Sequence, residues 1–278
     1  MSVKIVVDST VDLIPAVKEQ VKVVPMSIFF GETEYKDGVT ITPDKFYEML
    51  VAAEQLPTTS QPTPAAFEDV YRELVEAGHE VVVITVASKL SGTYQSATIA
   101  AEEFPGKVFV VDSRSATLGA GILTEYALKL VEAGWTGEQI LNELMEKRSK
   151  IRLYAIVDTL EYLKKGGRLS PTVAFVGGML NLKPIITLDA GVIDTVGKAR
   201  GTKAAFSMLT KACEDHGGVD FDMPVLLGYT GNDDSQLRKY MEANAQLWDA
   251  NTPTSIVGST IGVHAGPGAV ALSFFSKE

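Results

Sequence analysis

Four polar segments interrupt an otherwise hydrophobic chain of 278 residues, and their residue types suit contact with a small anion. The first, Pro57-Thr58-Thr59-Ser60-Gln61-Pro62, sets three hydroxyls between two prolines ahead of a helix-start signal, which also suits a rigid loop carrying an N-cap. The second, Ser88-Lys89-Leu90-Ser91-Gly92-Thr93, follows a strongly apolar run and opens a helix. Free N–H groups at a helix start attract anions, so Ser91 and Gly92 are placed either to hold a carboxylate or phosphate or simply to cap the helix. The third, Leu163 to Ser170, contains Lys164, Lys165, Gly166, Gly167 and Arg168, a concentrated basic patch. It reads as a helix C-terminus with dipole-matched lysines and a glycine cap, or as an anion or acidic-partner contact made by Arg168 with Arg200. The fourth, Ile261 to Gly268, surrounds His264 with three glycines between two predicted strands, as where backbone approaches something closely.

Ser91, Asp112 and His264 occur in the chain order of the α/β-hydrolase triad, so a lipid hydrolase or acyltransferase is the alternative reading. Residues 89–93 read Lys-Leu-Ser-Gly-Thr, however, and lack the first glycine and the spacing of the G-x-S-x-G elbow that exposes a nucleophilic serine. No G-x-x-x-x-G-K-[ST] loop and no strand-linked G-x-G-x-x-G is present for a nucleotide. His79, His216 and His264 lie far apart without metal-ligand spacing, so neither metal nor cofactor is expected.

The elements that must position these segments alternate in the first half. Lys4–Val7, Val81–Val86 and Val108–Val111 are apolar runs of the kind found in parallel strands covered on both faces. Thr42-Pro43 and Thr63-Pro64 are helix starts with Pro at N1, and Thr136-Gly137-Glu138-Gln139 fits a capping box. Strand–helix repeats of this length predict βαβ units and a mostly parallel sheet. In the second half, Asp189-Ala190-Gly191 links two short strands as a hairpin, and strands at Leu153–Val157, Val225–Tyr229, Thr254–Val257 and Ala269–Phe275 alternate with helices at Ala204–Ala212 and Ser235–Gln246. The fold class expected is α/β in two domains: an N-terminal parallel-sheet domain over residues 1–152 and a C-terminal α+β domain over 153–278 with a mostly antiparallel or mixed sheet.

Composition sets the outer limits. Lys+Arg total 25 against 35 Asp+Glu, a formal net charge of −10, and 46% of residues are apolar. An acidic chain of this kind has no basic stripe for nucleic acid. A single cysteine, Cys213, excludes an intramolecular disulfide. No apolar run approaches the ~20 residues that span a bilayer, and no signal-peptide pattern precedes the first strand, so a cytoplasmic protein with at most transient membrane contact is expected.

Together these segments resemble the DegV family of bacterial fatty-acid-binding proteins. The matching residues are Asp8-Ser9-Thr10, Thr58 to Pro62, Leu90 to Ala97, Val111-Asp112-Ser113, Lys165 to Arg168 and Gly262 to Gly268, in order along essentially the whole chain. The resemblance implies a fatty acid buried between two α/β domains, its carboxylate held by Thr59 and Ser91 near Gly92, with His264 in the hydrogen-bond network. It also implies a carrier without catalysis of its own, which presents the acid to a separate ATP-dependent fatty acid kinase and holds the acyl phosphate. Arg168 and Arg200 would then contact the kinase or the new phosphate. Met26, Ile28, Phe29 and Phe30 are expected either in the tunnel wall or in ordinary core.

Overall fold

Threonine caps start three of the helices. Thr42, Thr63 and Thr136 each accept from the backbone N–H three residues on, two of them with Pro at N1 and the third in a complete capping box. The computed structural model describes residues 2–169 and 181–278. In chain order the elements are β1 (Val3–Asp8), α1 (Pro15–Lys18), β2 (Val21–Val24), β3 (Ser27–Phe30), β4 (Thr33–Lys36), α2 (Pro43–Ala52), β5 (Thr58–Ser60) and α3 (Pro64–Glu76). Next come β6 (Glu80–Thr85), α4 (Thr93–Ala101), β7 (Val108–Asp112), α5 (Thr117–Glu132) and α6 (Gly137–Lys147). After these follow β8 (Ile151–Ile156), α7 (Glu161–Lys165), β9 (Leu182–Asp189), β10 (Val192–Arg200), α8 (Thr202–Glu214) and β11 (Val225–Tyr229). The last four are α9 (Ser235–Ala243), β12 (Thr254–Ile256), α10 (Ser259–Ala265) and β13 (Val270–Phe275).

Three sheets result among the described residues. The first is parallel, in the order β2-β1-β6-β7. The second is mixed, in the order β10-β9-β8-β13-β11-β12, antiparallel except for the β11–β12 pair. This is the α/β architecture expected, with a parallel sheet early in the chain and a mixed sheet built from β8 onward. The third sheet, β4-β3-β5, is small and antiparallel and was not foreseen; it makes the Thr58–Ser60 segment a strand rather than a loop.

Alternation along the strands explains the layering. In β1, Ile5 and Val7 face one core while Val6 faces another; in β6, Val82 and Ile84 oppose Val81 and Val83 in the same way. The outer core includes Phe67, Tyr71 and Leu74 of α3 and Ala97 and Ala100 of α4. The inner core is built around α5, whose residues Leu118–Thr124 are all buried. A helix apolar on every side needs a partner on every side. Here β1 and β6 supply one wall and Leu153, Leu226, Ala271 and Phe275 of the mixed sheet the other. The far face of the mixed sheet buries Tyr154, Leu227, Leu272 and Phe274 against α8 and α9. The order is therefore helix, parallel sheet, helix, mixed sheet, helix.

The segment Ile261–Gly268 contains the last turn of α10, which periodicity did not reveal because the helix is only seven residues long. Gly258 starts it and Gly266, at φ +70°, ends it. The glycines do meet close neighbours, but these are the protein's own side chains. Gly262 abuts Phe46 and Tyr47, and Gly266 abuts the Tyr162 ring. Ile28 and Phe30 pack with Phe46 and Tyr47 in a separate core, leaving Met26 as the cavity-wall residue of that stretch.

Candidate functional site

A cavity of about 370 Å³ lies where the carboxyl ends of the parallel strands, α10 and the inner face of the mixed sheet converge. Open parallel sheets offer such a crevice at their carboxyl ends, and the volume falls within the usual ligand-site range. Its walls are chiefly aliphatic: Val86 and Leu90 follow β6, Leu153 and Ala155 lie on β8, and Ile186 and Leu188 on β9. Ala155 and Ala271 pair directly across β8 and β13, and two side chains this small leave room above the sheet.

Thr59, Ser91, Arg168 and His264 all line this cavity, so four of the six candidate residues are brought together. They come from β5, the loop before α4, the segment after α7 and the last turn of α10. Thr59, Arg168 and His264 also line a second cavity of about 310 Å³, to which Tyr162 and Lys165 contribute. The polar cluster therefore marks the boundary between an apolar chamber and a cleft with a cationic rim.

Within the cluster, Thr59 Oγ1 and His264 Nε2 are 3.1 Å apart, a contact between residues 205 positions distant in sequence. His264 Nδ1 is buried and has no hydrogen-bond partner among the described residues. It sits against Gly166, where a methyl group in place of the glycine hydrogen would collide with it. Orphaned buried N–H groups are rarer than orphaned acceptors, which places the ring proton on Nε2. With that tautomer His264 donates to Thr59, and the hydrogen of the Thr59 hydroxyl is left for another acceptor. Burial, with the charge of Arg168 adding to it, pushes the imidazole down to about 4, so the ring is neutral near pH 7.

Arg168 is held by two carbonyls: its Nε donates to Leu90 O at 3.1 Å and its Nη1 to Gly166 O at 2.7 Å. The guanidinium thus ties the second polar segment to the third. Ser91 Oγ lies 2.8 Å from Thr93 Oγ1. Ser91 is not the N-cap of α4; Gly92 occupies that position without a side-chain cap. Gly92 does not itself line the cavity, and the Gln61 carboxamide packs directly against it while donating to Ser96 Oγ at 3.0 Å. Arg200 lies apart, exposed at the end of β10 opposite Leu182.

The alternative triad is not assembled in this geometry. A nucleophilic serine needs a histidine on its hydroxyl and a carboxylate orienting that histidine. His264 instead bonds Thr59, and Asp112 accepts from Ser88 Oγ at 2.7 Å and from the Arg114 N–H at 2.9 Å. Gly166, Gln61 and Thr93 escaped the sequence reading as site residues. Only the position of Gln61 between Thr59 and Ser91 in the first two segments hinted at its bridging place.

Comparison with known proteins agrees with the architecture. The family model described as an uncharacterised protein of the DegV family matches residues 2–277. A DegV domain-containing protein of Deinococcus radiodurans is 35% identical over 279 residues, covering 98% of both chains. A DegV family protein from Thermus thermophilus, described by its fatty acid binding, superposes with a TM-score of 0.89 at 36% identity over 99% of this chain and 100% of its own. A stearic acid-binding protein from Eubacterium ventriosum gives 0.83 at 31% identity over 99% and 98%. This chain, matched from end to end in both sequence and fold, belongs to the DegV family.

Proposed function

We propose that this protein binds a long-chain fatty acid in the apolar chamber, with the carboxylate at the Thr59–Ser91–His264 cluster. The observation that carries the reading is the neutral, hydroxyl-bearing cluster standing where an aliphatic cavity of about 370 Å³ meets a second cleft. Thr59 and Ser91 donate hydroxyl hydrogens to the carboxylate, and His264 fixes Thr59 as a donor. The fatty acids bound by the relatives from Thermus and Eubacterium support the same occupant.

The cytoplasmic carrier role extends this reading. With its head group at the boundary of the two cavities, the acid is presented to a separate fatty acid kinase, and Arg168 and Arg200 serve the partner or the new phosphate. A neutral cradle suits that exchange, since it accepts hydrogen bonds from neither ligand form and donates to both. Denaturing extraction of the purified protein followed by lipid mass spectrometry tests the first step. About one fatty acid per chain is the expected result. An empty extract, with no uptake of added palmitic or oleic acid, would overturn it.

A further inference from the structure

Of the Asp8-Ser9-Thr10 motif, Thr10 lines the cavity, and Ser9 leads to its polar cluster through Asp37. Asp37 is buried, and its Oδ2 accepts three neutral donors: Ser9 Oγ at 3.1 Å, the Thr260 N–H at 3.1 Å and Thr260 Oγ1 at 2.6 Å. Thr260 is the second residue of α10, the helix whose last turn carries His264. Asp12, also buried, accepts from the Gly258 N–H at 2.8 Å, just ahead of the same helix. A seven-residue helix does not hold itself together, and its first N–H groups have no partner inside it. Here Asp37 supplies a partner for the Thr260 N–H inside the first turn, and Asp12 fixes the N-cap residue Gly258 through its N–H.

A second branch leaves the same carboxylate. Ser9 Oγ accepts from the Met26 N–H at 3.0 Å, and Met26 Sδ lies 3.6 Å from Thr93 Oγ1, which pairs with Ser91. Asp37 therefore stands where the connections to His264 and to Ser91 meet, while itself absent from the cavity wall. We infer that Asp37 is a positioning residue for the head-group cluster, holding the start of α10 so that His264 reaches Thr59. Its link to ligand binding rests on the fatty acid reading above; its effect on His264 does not.

The test compares palmitic acid with 1-hexadecanol, which has the same chain and no carboxylate, by displacement of a fluorescent acyl probe. Side-chain 15N spectra of His264 are recorded alongside. Asp37→Ala is expected to weaken the acid by about tenfold or more while the alcohol changes by less than about twofold, because only the charged head group uses the cluster. The His264 ring signals should shift in the same variant. Asp37→Asn, which keeps an acceptor oxygen for Thr260, should restore most of the acid affinity and the wild-type ring signals. Should Asp37→Ala fail to fold, Thr260→Val removes one donor of the same junction and should shift the His264 signals in the same way.

Equal losses for acid and alcohol, or no loss for either, would overturn the assignment. A wild-type protein that does not distinguish acid from alcohol would instead sink the carboxylate reading. The His264 signals then decide alone: unchanged in Asp37→Ala, they refute the positioning role, and displaced, they uphold it.

Discussion

His264 offers a measurement in which protonation, burial and ligand contact meet. Its ring is pushed from the ordinary 6.5 down to about 4, first by burial and then by the Arg168 charge. Since the folded value lies below the unfolded one, the unfolded chain takes up this proton first as pH falls. Stability from the neutral ring is complete above pH 6.5 and is lost as pH falls toward about 4. At about 1.4 kcal/mol per pH unit, the difference amounts to about 3 kcal/mol. His264→Gln removes the titration while leaving an amide that can still donate to Thr59.

Urea denaturation of both proteins at several pH values isolates this contribution, because every other group cancels in the difference. Relative to wild type, the variant should gain about 3 kcal/mol between about pH 7.5 and about pH 4. Parallel stability curves, or an NMR midpoint for His264 near 6.5, would refute the burial argument. Ligand adds a second arm. A carboxylate beside the ring favours the imidazolium, so palmitic acid should move the midpoint upward. An unmoved midpoint with ligand bound would place the head group elsewhere.

Other outcomes follow from the same geometry. Thr59→Val combined with Ser91→Ala should weaken palmitic acid by about 3 kcal/mol or more, measured by probe displacement, since two hydrogen bonds to a charged group are lost. Ala155→Leu should fill the chamber over the β8–β13 pair and shift extracted lipid toward shorter chains, at about 0.8 kcal/mol per excluded CH₂. For Asp12, burial raises the carboxyl from 3.8 to about 7 despite its bonds to Thr117 and Gly258. The protonated form is the one the fold prefers, so its contribution is complete below pH 3.8 and is lost as pH rises through about 7. Asp12→Asn should therefore melt higher than wild type above pH 7, with the gap closing on acidification.

The parallel sheet was legible because a strand buried on both faces writes itself as an unbroken run, as Val81–Thr85 does. The Asp189–Gly191 turn likewise announced its hairpin, and the threonine caps announced their helices. What escaped is non-local. The strand Thr58–Ser60 exists because β3 pairs with it, and four polar residues between prolines carry no period of their own. Helix α10 is held by Asp12 and Asp37, more than 200 positions earlier, rather than by its own propensity. Separation along the chain also hid Gly166: in sequence it is a cap, and only folding sets it beneath the His264 ring. Thr59, Ser91 and His264 could be named because of the family resemblance, whereas their mutual geometry could not be read from any spacing.

The division of labour between chain and head group follows from magnitudes. At ~0.8 kcal/mol per CH₂, a sixteen-carbon acid gains on the order of 11 kcal/mol gross from the chamber, several times what two hydroxyl contacts contribute. On the proposed reading, affinity is therefore set mainly by Val86, Leu153, Ile186 and their neighbours, and the cluster sets direction. A hydrocarbon tail has no preferred end, and on the same proposal only a carboxylate that finds Thr59 and Ser91 would settle with its reactive oxygen toward the second cleft. Loss of those hydroxyls should thus leave a protein that still extracts with lipid but holds it without fixed orientation. Spectra of 13C-carboxyl palmitic acid separate the two states: one sharp carboxyl resonance for the wild type, a broadened or doubled one for the Thr59→Val, Ser91→Ala variant. A single unchanged resonance in that variant would mean that chamber shape alone orients the acid, and the polar cluster would lose its assigned role.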